Sequence, residues 1–138
     1  MTDSSPHPAL PDTRTLYHLK LVCRWSLGFV WIWEGLVPKI LLPQAMQREV
    51  VLNSGLYWPD PDGFLVGLGI LMILAGIVIC IGWFERLSVL VASLAMTILI
   101  FLVVGNRPES LGDMHGGIAK DACLYATAWV VWVLGKRN

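Results

Sequence analysis

A carboxyl, a proline and an ammonium fall within the six residues Glu34-Gly-Leu-Val-Pro38-Lys39, inside an otherwise apolar run that begins at Leu27. An ionisable side chain at the middle of a bilayer costs about 2.5 to 3.5 kcal/mol on insertion scales, so one that persists faces a helix bundle, a partner or a wet cavity. Pro38 has no N–H for the carbonyl four residues earlier, which is that of Glu34 itself. Side-chain carboxyl and freed backbone oxygen therefore share one turn. The chemistry open to such a group is proton exchange or the anchoring of a ligand. The competing reading is an ion pair that only fixes helix against helix.

The surrounding elements must be membrane helices if this reasoning applies. The 138 residues are 56% hydrophobic and 14% charged, with a mean hydropathy of +0.65, which reads as an integral membrane protein. About 20 apolar residues cross the hydrocarbon as a helix. Segments 19–42, 64–83, 87–104 and 118–134 meet that requirement. The expected fold is all-α, a four-transmembrane-helix bundle with a short interfacial helix in the first external loop. That loop helix is read from Pro43 to Gly55, with Met46, Val50 and Val51 at helical spacing. The second and third spans, joined only around Glu85-Arg86, form an antiparallel hairpin. Residues 1–15 are read as a disordered cytoplasmic tail and 16–138 as a single four-span membrane domain. The start of the chain lacks the basic region of a cleavable signal peptide, so the first span is read as an uncleaved anchor.

Lys and Arg in the short loops set the orientation. With the N-terminus inside, Arg14, Lys20, Arg86, Lys136 and Arg137 lie on the cytoplasmic side, against Arg48 and Arg107 outside. Both termini are then cytoplasmic, in the cell's inner membrane. Span one runs outward and span four inward, so Glu34 and Lys39 share the outer half with Lys120 and Asp121, below His115. Glu34 and Lys39 are about 140° apart on a regular helix, which leaves Lys120 as the better partner for Glu34. Asp121 is left to face Lys39 or the loop. Arg24 is expected to snorkel to the inner surface.

Other chemistries are set aside by what the chain lacks. There is no nucleophile and base at recognisable spacing, no Gly-rich nucleotide loop and no multi-His or multi-Cys metal pattern, so no self-contained catalytic motif and no metal site are expected. Net charge is zero and the basic residues are scattered, which excludes a nucleic-acid binder. His7, His18 and His115 fall at different depths, against haem ligation within one chain. Cys23, Cys80 and Cys123 read as small buried residues, of which only the first two could meet. The tryptophans mark spans and their ends, and at most one of Trp31 and Trp33 is expected to line any one pocket. Small residues are expected at helix contacts: Gly69, Gly76 and Cys80 on span two, Ser88, Ala92 and Ala95 on span three, and Ala119, Ala122, Cys123 and Ala126 on span four.

The stretch from Arg24 to Pro43, with its Glu34-Gly-x-x-Pro38-Lys39 core, resembles the first helix of the DoxX-like family of small bacterial membrane proteins. The segment ending Leu52-Asn-Ser-Gly55 resembles that family's first loop, and Lys120-Asp121 its Lys-Asn or Lys-Asp pair. The family's second helix often carries an acid, where this chain has the apolar run Gly67 to Gly76. The resemblance carries over Glu34, Pro38, Lys39 and Lys120. It implies a membrane-embedded accessory or anchor subunit of a redox system, with a partner protein in contact and a quinone as the cofactor to test for. Two alternatives stand beside it: a small proton-coupled transporter, which would need a homo-oligomer, and a non-catalytic scaffold.

Overall fold

The computed structural model describes residues 12–42, 44–55, 57–106 and 117–135, with the side chains of 117–119 left aside. Among the described residues the chain is all-helical: α1 (Thr13–Leu36), a π-helical turn (Val37–Leu41), α2 (Ala45–Ser54), α3 (Pro61–Ile81), α4 (Glu85–Asn106) and α5 (Gly117–Leu134). Helix α1 begins inside the stretch read as a tail, where the Leu16 amide already donates to the Asp12 carbonyl. Residues 1–11 lie outside the described set, as do His115, Arg107, Pro43, Lys136 and Arg137.

Helices α3 and α4 are each long and apolar enough to cross a bilayer. A third candidate arises when α1, the π turn and α2 are taken together, bent by 90°. The start of α3 follows from local chemistry: Asp60 caps it by accepting from the Gly63 amide, and Pro61 sits in the first turn, where no N–H is required. Its end follows from Gly82 at φ 79°, a left-handed conformation that favours glycine. Three residues later α4 begins, which folds α3 and α4 back on one another.

The tightest packing is not between those sequence neighbours but between α1 and α3. Gly28 meets Gly76 and, seven residues along each helix, Gly35 meets Gly69. A methyl on Gly28 would lie 2.8 Å from the Gly76 carbonyl oxygen, and one on Gly76 would lie 2.7 Å from that of Gly28. The Gly35 and Gly69 positions are equally close, at 2.5 and 2.7 Å. Two antiparallel backbones can approach this far only where side chains are absent, the general basis of helix association in lipid. Gly69 and Gly76 match the sequence expectation, and Gly28 and Gly35 complete the pattern it missed.

Around this seam the core gathers Leu27, Trp31, Met72, Ile79, Val89, Met96, Leu124 and Val131. Ala92 is buried as expected on α4. On α5 the small-residue expectation is corrected: Ala122, Cys123 and Ala126 are exposed, while Leu124, Ala128 and Val131 face inward. The inward line on α5 steps by four and three residues, so helix period and not residue size selects it. Cys23 and Cys80 are half-buried, so the reading of all three thiols as buried does not hold.

Candidate functional site

Ionisable groups collect at two ends of the bundle. At the end carrying the α3–α4 turn, Lys20 and Arg24 lie one helical turn apart on α1, and Glu85 opens α4. Lys20 Nζ donates to both oxygens of Glu85, at 3.2 and 3.1 Å, and Arg24 Nη1 donates to Oε1 at 2.7 Å. All three side chains are at most 16% exposed. Arg24 reaches the α3–α4 turn, where Glu85 gives its guanidinium a partner and its side chain packs directly over Gly82. Arg86, next along α4, lies 5.6 Å from the ring centre of Trp132 on α5. This clasp was missed by sequence reasoning, although Lys20 and Arg24 at a four-residue interval opposite a single acid were the signal for it.

At the α2 end the Pro38 effect takes a specific form. Beyond Leu36 the chain forms a π turn, closed by the Leu42 amide donating 2.8 Å to the Val37 carbonyl. The wider π turn brings residues five apart over one another, where an α-helix would separate them by about 140°. Lys39 Nζ accordingly donates to the Glu34 backbone oxygen at 3.1 Å, the carbonyl that Pro38 leaves without an amide. The Glu34 carboxylate takes a different partner: Lys120 Nζ on α5 donates to its Oε1 at 2.7 Å. Lys39 is 7% exposed, so its amine is buried, whereas the Lys120 and Glu34 side chains are 43% and 30% exposed. Asp121 is within electrostatic reach of Lys120 and Glu34, and forms no hydrogen bond or ion pair among the described residues.

These groups line a cleft of about 420 Å³ between α1, the π turn and the facing helices. Its apolar wall includes Trp31, Met72, Met96 and Leu124, and its polar edge includes Glu34, Lys39, Lys120 and Asp121. Helix α2 closes one side with Met46 and Gln47, and its Arg48 is held by Asp62 of α3 at 2.9 Å. Both Trp31 and Trp33 line the cleft, contrary to the sequence expectation. They lie about 60° to one side and 100° to the other of Glu34 on the helix, so a cleft centred on Glu34 touches both. Pro38 is buried in the same wall. Of the six candidate residues the structure thus brings five together, and His115 lies outside the described residues.

A second polar contact escaped the sequence. Thr97 Oγ1 and Tyr125 Oη are 2.5 Å apart and tie α4 to α5, and Tyr125 also donates to the Ser93 carbonyl at 3.4 Å. No group of three or more His, Cys, Asp or Glu suited to a metal ion occurs among the described residues. The cleft combines neutral balance, two acids and two ammonium groups, with aromatic and aliphatic walls. Such a surface suits an amphiphile with a polar head.

No curated protein matches the chain, and no solved structure does. A family model does match, over residues 28–129, which run from the first α1–α3 glycine contact, through Glu34, Pro38, Lys39, Lys120 and Asp121, to the last turns of α5. On that match the chain belongs to the DoxX-like family.

Proposed function

We propose that this DoxX-type membrane protein is a four-span accessory or anchor subunit of a membrane redox system, with a quinone-accepting cleft at its α2 end. In this reading α1 and α5 join α3 and α4 as spans, both termini face the cytoplasm, and α2 lies in the outer interface. The observation that carries it is the cleft of about 420 Å³, in which Glu34, Lys39, Lys120 and Asp121 meet an aromatic and aliphatic wall. That volume suits the head of a small amphiphile, and the polar edge suits ring oxygens.

A purely structural ion pair would need no cleft beside it, whereas Glu34 and Lys120 line one together with Lys39 and Asp121. The test is purification of the native chain in mild detergent, followed by extraction of bound lipids and identification of partners. The reading expects quinone in the extract and a redox protein in the preparation, both diminished in Lys120→Met. Recovery of the chain alone at every detergent concentration, with no quinone, would overturn it.

A further inference from the structure

The hydrogen-bonding groups of the cleft are unevenly used. Lys39 has three N–H donors and spends one on the Glu34 carbonyl, at a position only 7% exposed. On the acceptor side, Gln47 Oε1 is buried with no hydrogen-bond partner among the described residues, and it lines the same cleft. Asp121 is equally without a hydrogen bond among them, and of the Glu34 carboxylate only Oε1 is engaged. Among the described residues, the cleft therefore offers unused donors on the π turn and unused acceptors on α2 and α5. A buried polar group left unmatched costs about 1 to 3 kcal/mol, a cost that a ligand O–H or N–H relieves at Gln47 Oε1, while the remaining Lys39 donors suit an acceptor oxygen on the same ligand.

This requirement separates the two forms of a quinone. The oxidised ring presents carbonyl acceptors only, which satisfy Lys39 and leave Gln47 Oε1 without a donor. The hydroquinone presents two hydroxyls, each able to accept from an ammonium and to donate to an amide or carboxylate oxygen. Resting on the quinone-linked reading above, we infer that the cleft is selective for the reduced, hydroquinone form, with Lys39 as the donor to one ligand oxygen and Gln47 as an acceptor that discriminates between the forms. Helix α2 is then part of the recognition surface and not only a cover. A site that binds the reduced form tenfold more tightly raises the two-electron potential of the bound couple by about 30 mV.

The test is calorimetric titration of the full chain in detergent micelles, under anaerobic conditions, with a short-chain ubiquinone and with its ubiquinol, against protein-free micelles. The wild type is expected to bind the quinol at least about tenfold more tightly. Gln47→Leu is expected to bring the ratio towards one by weakening the quinol alone, and Lys39→Met to weaken both forms. Helicity and a single size-exclusion peak check each variant's fold, and Gln47→Leu, on a short peripheral helix, decides the matter if Lys39→Met does not fold. Equal binding of the two forms, tighter binding of the quinone, or an unchanged ratio in Gln47→Leu would overturn the selectivity while leaving a quinone site. Binding of neither form would overturn the quinone-linked reading as well.

Discussion

The two ends of the bundle carry similar residues in opposite states. At the turn end, one carboxylate serves two cations, both its oxygens are engaged, and the group is at most 16% exposed. At the α2 end, two acids and two ammonium groups share a cleft, yet one ion pair and one backbone hydrogen bond are all that joins them among the described residues. Charge type does not separate a fastener from a site, because both ends have it. What separates them is how fully the carboxylate oxygens are engaged and the cleft beside the α2-end groups, since Arg24 Nε and Arg86 Nε at the turn end are also buried without a hydrogen-bond partner among the described residues. The same contrast runs through the backbone. The turn end stops α3 with a glycine cap, whereas the α2 end carries a π turn, a distortion that leaves a carbonyl for a side chain to fill.

The sharpest way to break this comparison is to remove the shared carboxylate. Glu85→Leu leaves Lys20 and Arg24 as buried cations without their partner, and is expected to destabilise the bundle by about 3 to 5 kcal/mol. Thermal unfolding in detergent, read by circular dichroism, measures it; a loss below about 1 kcal/mol would mean the turn-end cluster is no fastener. The seam between α1 and α3 comes next. Gly76→Ala places a methyl 2.7 Å from the Gly28 carbonyl and is expected to cost about 1 to 3 kcal/mol by the same measurement. Gly67→Ala on the same helix, with nothing within 4 Å, serves as the control and should change stability by no more than a few tenths.

Smaller effects follow. A double-mutant cycle of Thr97→Val and Tyr125→Phe is expected to return a coupling of about 0.6 kcal/mol, the usual worth of a polar contact between membrane helices. Last comes Lys120→Met, expected to destabilise the bundle much less than Glu85→Leu because the Lys120 and Glu34 side chains are 43% and 30% exposed in the cleft. Its consequence should instead appear in quinone content and partner recovery. A Lys120 variant that unfolds as readily as the Glu85 variant would erase the distinction between the two ends.

Much of the α2 end was legible in the linear sequence. An acid in an apolar run is costly to bury and a proline removes one amide from any helix, so Glu34 and Pro38 mark a candidate site independently of packing. Reading the first and last helices as antiparallel put Lys120 level with Glu34, and the two are bonded in the structure. The turn-end clasp was harder to see, because charge counting assigned Lys20 to a loop and Arg24 to the surface. Their pairing depends on where α4 starts relative to α1, a matter of three-dimensional offset. Trp31 and Trp33 were separated by helix geometry alone, which says nothing about how widely a cleft extends around the helix.

By itself the sequence determined the helical composition, the approximate limits of the apolar segments and the residues that are expensive to bury, because propensity, hydropathy and charge are properties of the chain at each position. The tertiary structure decided which of those residues are used up and which are spare. It turned α1 into a π segment that lifts Lys39 over the Glu34 carbonyl, brought two heptad-spaced glycine pairs into backbone contact, and left the Gln47 side-chain oxygen buried beside a cleft, unmatched among the described residues. Hydrogen-bond saturation depends on distances between helices, and no pattern along one chain contains those distances.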